Sequence, residues 1–508
     1  MKKLFYIVSF FILTQHLVAQ TFNDITRIAL DEFTGSARYS GMAGAFVAVG
    51  GDLTAVNDNP ASSSIFLHSE VGVGLNFASL QTDANYSGTS TLSNNRNLNF
   101  NQVGGVFVFN NTQEESSWSK ISFGFNYQCE ADYKQDIAVS GNSNRGIDNY
   151  FLYYADGLRF DNLPLYENET IGEVYQILGE EIGFGAQQAF LGYQAYLINP
   201  LTNDDANISY VSNVSYSNVA QDISNTTEGQ KRRYTFNVGG VYQEKLHLGF
   251  NFNAYQFDFS QRHELEEYNH DADSFASDIN FTNDLISYGA GVSVQFGAIL
   301  KLKNFRLGAS YHSPQWLTFE DETQQSISAY HVENDLFVNE TINPLIDNFP
   351  VTNVYPEYNY KIPSKLNAGL ALLLGNRGLL SVDVSSQNFS NLRLSQKGGS
   401  DYLEGLNEKI AANFQTVNTV KIGGEFRVEN VSLRAGYFSK SALQKAITSL
   451  DGGFTLGLGL DFGSSALNVA YVNLNRNSSN NVFDQGLSNS YRLTDTFNNV
   501  VLTYNLKL

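Results

Sequence analysis

Short runs that alternate apolar residues with glycine or polar residues recur along the chain from about Glu70 to Leu508. Ser287–Gly297 shows the pattern most clearly, because every second residue from Tyr288 to Phe296 is apolar and the residues between them are glycine, serine or glutamine. A period of two places these two sets on opposite faces of a β-strand. An apolar face that repeats along a whole chain, opposite a polar face, is typical of strands that contact lipid.

The runs predict about fourteen strands, an even number as single-chain bacterial barrels require. Short turns such as Lys303-Asn304 and Glu429-Asn430 alternate with long polar loops. This asymmetry is typical of outer-membrane barrels, which have short periplasmic turns and long extracellular loops. The predicted strands begin near Val71, Leu98, Ile121, Tyr234, Leu246, Tyr288, Phe305, Leu366, Leu380, Val420, Leu433, Phe454, Leu467 and Val500. The predicted long loops are Gln128–Lys231, Ser260–Asp284, Pro314–Ser364, Phe389–Thr416, Phe438–Gly452 and Asn473–Phe497.

The predicted sheet closes on itself. Its last strand runs from about Val500 to Leu508 with apolar residues at every second position. A barrel whose final strand pairs with its first has no exposed edge. All eight prolines lie outside the predicted strands, as expected where both sides of a strand are hydrogen-bonded. We therefore predict an all-β, transmembrane antiparallel barrel over residues 68–508.

Residues 1–20 have the features of a secretory signal peptide. Lys2 and Lys3 precede the apolar run Leu4–Leu13, and small residues near Val18-Ala19-Gln20 mark the cleavage site, whose exact position stays open. No other run approaches the ~20 consecutive apolar residues that a membrane helix needs. An exported chain of this kind is a soluble protein or a barrel, and the strand pattern favours a barrel in a bacterial outer membrane.

Composition excludes several other classes of protein. The single cysteine, Cys129, cannot build an intramolecular disulfide framework, so packing and strand closure must stabilise the fold. A formal net charge of -20 argues against a nucleic-acid partner, because phosphate binding needs clustered Lys and Arg. Aromatic residues make up 13% of the chain, which fits girdles of rings at two membrane interfaces. We expect a monomer without a cofactor or a metal.

Residues 21–67 precede the first strand and form a separate predicted unit. The segment is rich in glycine and alanine between Gly41 and Ala48, and small residues let backbones pack closely. Asn59-Pro60 is a turn signal. A segment of this length cannot build an independent core, so we expect it to fold inside the lumen of the barrel.

The sharpest local motif is GMAGAFVA at Gly41–Ala48, followed by Asp52, Ala55 and Asn59-Pro60-Ala61. Three later stretches accompany it: Leu307–Pro314, Ile362-Pro363 and Leu433–Tyr437. Together these stretches resemble the FadL/TodX family of outer-membrane transporters for hydrophobic compounds, and the similarity spans nearly the whole mature chain.

The resemblance implies a barrel plugged by its N-terminal segment, the hatch, that imports long-chain fatty acids or similar hydrophobic molecules without direct energy input. The ligand would land on an apolar extracellular site and pass to a pocket beside the hatch; in relatives it can leave sideways through a gap in the wall. An apolar pocket with few polar anchors suits such a ligand. The implied partners are this ligand, outer-membrane lipid and lipopolysaccharide. The hatch or gating residues that match the family motif are Gly41, Met42, Gly44, Phe46, Asp52, Asn59, Pro60 and Ala61.

The first large loop, an insertion at about 130–231, contains a helical pattern. Apolar residues recur there at helical spacing, and the apolar stretch Phe190–Ile198 follows. We predict an amphipathic helix pair that either forms the extracellular apolar site or only packs on itself above the rim. The residues that would form this site are Ile171, Val174, Tyr175, Leu178, Ile182 and Phe190.

Charged residues on the inward face admit two interpretations. They could anchor a ligand carboxylate or line its route, or they could form lumen salt bridges that tie the plug to the wall. A cluster of His and acidic residues from His263 through Glu264–Asp273 is likewise either a metal site or a solvated loop. The inward charges are Arg306, Asp383, Lys421, Glu425, Arg434 and Asp461.

An enzyme is not expected. His312-Ser313 are adjacent on a predicted strand and so point to opposite faces, whereas a catalytic triad needs convergent side chains. Three functions remain open: a hydrophobic-solute importer with a hatch, a general diffusion porin for polar solutes, and a surface adhesin or lipid-binding receptor that uses the long loops.

Overall fold

A computed structural model describes residues 22–29, 32–113, 116–333, 336–338 and 351–508, so the predicted signal peptide, 1–20, lies outside the described residues. Fourteen antiparallel strands form the wall, and the first pairs with the last from Glu70↔Lys507 to Asn85↔Arg492. The sheet is therefore a closed barrel. Its strands are β1 (Glu70–Tyr86), β2 (Thr89–Asn110), β3 (Trp118–Asp132), β4 (Val219–Tyr242), β5 (Leu246–Tyr268), β6 (Ala276–Leu302), β7 (Phe305–His312), β8 (Lys365–Leu373), β9 (Gly378–Asn388), β10 (Thr416–Val428), β11 (Val431–Lys440), β12 (Asp451–Asp461), β13 (Ser465–Asn481) and β14 (Ser490–Lys507).

The prediction of a fourteen-stranded barrel is confirmed, but several strands are longer than expected. β4 begins at Val219 rather than near Tyr234, and β6 begins at Ala276 rather than near Tyr288. The strand Gln315–Glu333 occupies much of a predicted loop. Beyond the lipid the outward face of a strand also meets water, so the apolar and polar alternation that marks a membrane strand disappears there.

The outer surface carries a belt of exposed apolar side chains. Phe77, Phe236, Leu307, Leu433 and Leu456 are 46–52% exposed. The residues that flank them on the same strands point inward and are mostly polar or glycine, for example Gly308 beside Leu307 and Arg434 beside Leu433. A closed sheet with apolar side chains outside and polar ones inside is stable where lipid replaces water around it.

The N-terminal segment, which we define as residues 32–66, lies inside the barrel. α2 (Ala37–Gly41) contacts β11–β14, and the 3-10 helix Pro60–Ile65 contacts β3–β6. Nearly all of the side chains from Ser36 to Ser64 are buried. Two further helices of this part of the chain are α1 (Phe22–Ala29) and α3 (Ala55–Asp58).

The large loops form a cap over the end of the barrel at which the long strand connections lie. α4 (Asp148–Ala155), α5 (Ile171–Glu181) and α6 (Phe184–Gln194) belong to the first large loop, and α7 (Asp401–Asn413) follows β9. The predicted helix pair is confirmed as α5 and α6, and α5 begins with a capping box in which Thr170 and Glu173 exchange side-chain to backbone hydrogen bonds. None of the helices in the described ranges has the length and apolarity to cross a membrane. The remaining short elements are the 3-10 helices Phe160–Asn162 and Phe389–Asn391 and the strands Gln135–Ser143, Ile198–Pro200, Tyr210–Ser212, Leu336–Val338, Asn353–Val354, Tyr358–Ile362 and Arg393–Gln396.

Candidate functional site

Inner-wall glycines let the backbone of the N-terminal segment approach the strands. A side-chain carbon added at Gly308 would collide with the backbone of Val47, and one added at Gly423 would collide with that of Met42. Gly249 faces the Pro60 backbone in the same way. These positions hold glycine because any larger residue would occupy the space of the segment.

The predicted hatch residues lie in this packed region. Met42 and Phe46 are fully buried, and Gly41 packs so closely on Gly457 that an added carbon would be 3.0 Å from the Gly457 Cα. Gly44 has a φ of +69°, a conformation that side chains other than glycine rarely adopt.

Asp52 and Asn59 organise the turns of the segment. The Asp52 carboxylate accepts hydrogen bonds from Ser36 Oγ at 2.7 Å and from Thr54 N at 2.9 Å. Asn59 Nδ2 donates to Val47 O at 2.7 Å and to Ala298 O on β6 at 3.1 Å. Its Oδ1 accepts from Ala61 N, and Pro60 is the first residue of the 3-10 helix, where its missing N–H is tolerated.

A three-residue contact, which we call the latch, fixes the segment to β10. Tyr39 Oη donates to Asp58 Oδ2 at 2.5 Å, and Lys421 Nζ lies 3.0 Å from Tyr39 Oη and 3.3 Å from Asp58 Oδ2. Burial raises the pKa of Asp58, but the positive charges of Lys421 and Lys365 and the hydrogen bond from Tyr39 together outweigh burial, so the pKa is well below its usual range. The latch is therefore an ion pair at neutral pH.

Glu425 forms the centre of a second charged contact. Its buried carboxylate accepts from Arg38 Nε of the segment at 3.1 Å, from Arg434 Nε at 2.7 Å and from Arg427 Nη2 at 2.6 Å. Arg434 also donates to Asn468 Oδ1 at 2.8 Å. Three guanidinium groups thus share one carboxylate between the segment and the wall.

The other inward charges also bind the segment, with one exception. Asp383 accepts from Val47 N at 2.8 Å, and Arg306 donates to Val49 O. Asp461 instead pairs with Lys507 at 2.9 Å at an exposed position. Of the two interpretations of these charges, these contacts favour the one in which they tie the segment to the wall.

A cavity of about 400 Å³ lies in the lumen beside the segment. An apolar lining was expected, but the residues that line the cavity are both polar and apolar. One part is an apolar patch of Phe33, Phe438, Val472 and Leu474, in which the rings of Phe33 and Phe438 stack at 4.6 Å. The rest is largely polar, because an inner wall that also holds a backbone-rich segment must supply hydrogen-bonding partners for it.

Glu32 lines this cavity and accepts a hydrogen bond from Asp132 N at 3.3 Å. Burial raises the pKa of Glu32 to about 7, and the positive charge of Arg476 offsets only part of this effect. A carboxyl group inside the cavity therefore changes charge near neutral pH.

The wall between β2 and β3 has an interruption, which we call the seam. The two strands pair only from Gln102↔Gln128 to Asn110↔Lys120, and β3 bulges between Cys129 and Ala131. For the residues of β2 that precede Gln102, side-chain hydrogen bonds replace the backbone ladder in the described chain. Asn97 and Asn99 both donate to Asp132 Oδ2 at 2.6 Å, and Asn95 exchanges two hydrogen bonds with the Asp136 backbone.

The predicted apolar loop residues are mostly buried in the cap. Tyr175, Leu178 and Phe190 are 0–5% exposed and pack with residues from the extended strands such as Phe281 and Ile327. Ile171 and Val174 pack at the edge of this cluster, whereas Ile182 is 46% exposed. The helices therefore pack on each other and on the strand extensions, and their apolar faces do not line the lumen cavity.

Two other candidate sites do not assemble. Throughout the described ranges, no group of three or more His, Cys, Asp or Glu side chains is placed to hold a metal ion, which includes the His263 and Glu264–Asp273 cluster. His312 Nε2 lies 2.9 Å from Asp58 O, while Ser313 Oγ donates to Pro314 O at 2.8 Å, so these two residues face different partners.

Arg38, Tyr39 and Asp58 were not predicted as site residues, because a local sequence pattern does not show which side chains of the segment contact the barrel wall. The row of inward asparagines from Asn95 to Asn101 on β2 was not predicted either. That row had a visible signal, since asparagine occupies every second position of NNRNLNFN.

Fold and site together define a fourteen-stranded transmembrane β-barrel whose lumen contains its own N-terminal segment and a cavity beside it. No protein-family model and no curated protein matches the chain. Among solved structures, a FadL homologue of Pseudomonas aeruginosa matches with a TM-score of 0.54 at 11% identity, covering 94% of this chain and 100% of that one. The toluene transporter TodX of P. putida matches at 0.52 and 14% identity, covering 94% and 99%. The CymD monoaromatic hydrocarbon channel matches at 0.50 and 10%, also covering 94% and 99%. The chain therefore has the FadL/TodX fold.

Proposed function

We propose that this protein carries hydrophobic small molecules passively across the outer membrane, with residues 21–67 acting as a hatch. The observation that carries the proposal is the N-terminal segment itself, which fills a closed barrel and is held there by the latch and by Glu425. A plugged barrel blocks the free diffusion of water and ions. It suits hydrophobic solutes, which need a route past lipopolysaccharide that excludes water. The similar structures include a toluene transporter and a monoaromatic hydrocarbon channel, which is consistent with such solutes.

The cavity beside the segment is the proposed binding pocket. Its volume of about 400 Å³ lies within the range of pockets that hold small ligands. The apolar patch of Phe33, Phe438, Val472 and Leu474 would contact the hydrophobic part of the ligand. Long-chain fatty acids are the first substrates to test.

We infer that the ligand leaves toward the membrane through the seam. Side-chain hydrogen bonds such as those of Asn97 and Asn99 to Asp132 can open by rotamer changes, whereas a backbone ladder cannot. A fatty acid with a photoreactive diazirine should label residues 129–136 in native membranes. Labelling confined to the periplasmic turns would contradict this route.

Uptake in cells tests the transport function. A strain that lacks the gene should take up radiolabelled oleate more slowly than the same strain carrying the wild-type gene. Asn59→Ala should lower uptake, because it removes the hydrogen bonds that join the Val47 turn to β6, while the barrel still folds and keeps its heat-modifiable mobility on a gel. Uptake that does not change on loss of the gene would refute the proposal.

A general diffusion porin is the second candidate, and the polar part of the cavity lining favours it. The two functions differ in ion conductance, since an open porin conducts and a plugged barrel does not. Planar-bilayer recording therefore distinguishes them.

A further inference from the structure

Three basic residues lie on the inner face of the wall at the end of the barrel opposite the cap, and we call them the basic cluster. They are Lys120 on β3, Lys301 on β6 and Arg306 on β7. On the same strands, the inner-wall positions Ser122, Gly297 and Gly308 contact the N-terminal segment. Each basic residue lies an even number of positions from one of these, so its side chain starts out on the same inner face.

The strand register brings the basic cluster together. Lys301 is the direct cross-strand partner of Arg306, so their Cβ atoms are about 5 Å apart. His247 on β5 lies opposite the inward position next to Lys301, and Val241 on β4 lies opposite both His247 and Lys120. The charge of Lys120 therefore acts on Lys301 from across two strands.

The basic cluster contains no carboxylate. Across the described ranges, none of its three members forms an ion pair. Lys120 Nζ donates to Phe66 O at 2.7 Å, and Arg306 Nη1 donates to Val49 O. Both acceptors are backbone carbonyls of the N-terminal part of the chain, so these two cations hold that part without being neutralised by it.

Lys301 is the member of the basic cluster whose ammonium group is available. Its Nζ has no hydrogen-bond partner among the residues that the structure describes, it is not a buried atom, and the side chain is partly exposed. Glu244, whose charge reaches Lys301, lies in the exposed turn at 243–245 and forms no ion pair with it. A chain with a net charge of -20 thus places two like charges directly opposite each other, an arrangement that destabilises a sheet.

Two neighbouring cations of this kind complement an oxyanion. A guanidinium and an ammonium group both form charge-assisted hydrogen bonds to phosphate and carboxylate oxygens, and an anion between them removes their repulsion. The lining of the lumen cavity includes no member of the basic cluster, so this position is separate from the proposed pocket for hydrophobic ligands.

We propose that the basic cluster binds an oxyanion, a phosphate or carboxylate group, between Lys301 and Arg306. Because Arg306 and Lys120 also hold the carbonyls of Val49 and Phe66, the bound anion stabilises the N-terminal segment in its place in the barrel. The source of the group is a soluble anion or the head group of a phospholipid. The site does not depend on the proposed transport function.

Thermal unfolding of the purified full chain in a non-ionic detergent tests the site. Sodium phosphate should raise the unfolding temperature in a saturable way, and sodium chloride at the same ionic strength should not. Lys301→Met should weaken the apparent affinity for phosphate about tenfold or more, the order expected for one hydrogen bond to a charged group. Without phosphate this variant should be at least as stable as the wild type, because it loses a repulsion and no bond.

Lys303→Met is the matched control. Lys303 lies two residues further along the chain in an exposed turn, so this variant loses the same charge outside the basic cluster. Its affinity for phosphate should stay within about twofold of the wild-type value, because an exposed charge is screened by salt. Heat-modifiable gel mobility identifies variants that fold, and the wild-type comparison of phosphate with chloride stands on its own.

Two further measurements identify the source of the anion. Sodium acetate in place of phosphate shows whether a carboxylate binds. Native mass spectrometry of protein extracted from outer membranes shows whether a phospholipid stays bound to the wild type and is lost from Lys301→Met. A retained lipid identifies a head group as the source, and phosphate or acetate binding without a retained lipid identifies a soluble anion.

The outcomes concern the basic cluster alone. If phosphate, acetate and chloride have equal effects at matched ionic strength, the oxyanion site is refuted. A phosphate effect that persists in Lys301→Met, or one that Lys303→Met also removes, overturns the assignment to Lys301 and Arg306. Uptake of oleate decides the transport function separately from all of these results.

Discussion

Single charged side chains determine how firmly the N-terminal segment is held. Glu425 is fully buried and shared by Arg38, Arg427 and Arg434, whereas Lys421 pairs with Asp58 of the segment. Buried ion pairs contribute little when compared with an apolar replacement, but the loss of one partner leaves the other charge uncompensated. The consequence of removing a single carboxylate or ammonium group is therefore large and local.

Glu425→Gln should destabilise the protein by about 3–5 kcal/mol, because three guanidinium groups lose their only shared carboxylate at this buried position. Denaturant unfolding in lipid vesicles measures this change. Arg427→Gln is the control, since the Arg427 side chain is 47% exposed and its pair should contribute less than about 1 kcal/mol. Equal effects of the two variants would show that Glu425 is not the centre of a buried cluster.

Stability should fall as the pH rises from about 4.5 to 7 because of Glu32. Its pKa in the folded protein is about 7, above the ordinary value of 4.5, so in this interval the folded state binds more protons than the unfolded state. Relative to Glu32→Gln, the wild type should lose stability through this window and keep a constant deficit at higher pH. Thermal unfolding in detergent from pH 4 to pH 8 measures the difference, and a difference independent of pH would contradict it.

The packing of the N-terminal segment against the wall depends on the residues at the inner faces of the strands. The segment crosses β5, β7 and β10 where Gly249, Gly308 and Gly423 remove the side chain from its path. Each glycine weakens its own strand slightly, but together they allow the backbone of the segment to lie against the wall.

Gly423→Ala should displace the segment, because the added carbon would collide with the backbone of Met42. We expect a loss of about 1–3 kcal/mol and faster proteolysis of residues 32–66 in the folded barrel. Gly424→Ala on the same strand is the matched control, since that position points outward and its nearest neighbour is the flexible end of Leu380 at 3.0 Å. Similar proteolysis of both variants would argue against a tight fit.

The strands were predictable where they cross lipid and not beyond it. The turns at 303–304 and 429–430 were correctly placed, because an apolar outward face ends there. The extension of β4 to Val219 was not predictable, since Gln221 and Asn225 face inward with other polar residues on the outward side. The pairing of Glu425 with Arg38 and of Lys421 with Tyr39 could not be read from the chain either, because each joins residues hundreds of positions apart.

At the scale of the whole molecule, the closed wall and the internal segment together determine permeability. The pairing of β1 with β14 closes the wall, so ions pass through the lumen. The lumen is occupied by residues 32–66 at the level of the latch.

Wild-type protein should therefore show little ion conductance in planar bilayers, and deletion of residues 21–67 should open a large, steady conductance. The deleted barrel must be shown to be folded by its heat-modifiable mobility. Lys507→Met, which removes a pair with Asp461 remote from the segment, should leave conductance low. Large conductance in the wild type would instead support the porin function, and an unchanged conductance after the deletion would refute the hatch.

The junction of β1 and β14 also imposes an order on biogenesis. The wall becomes a cylinder only when Ser490–Lys507 aligns with Glu70–Tyr86, yet the enclosed residues 32–66 already contact strands from both halves of the sheet. A folded segment cannot enter a sealed tube past contacts this close. Residues 32–66 can therefore reach their place in only two ways: the sheet closes around the folded segment, or the segment enters the barrel before it folds.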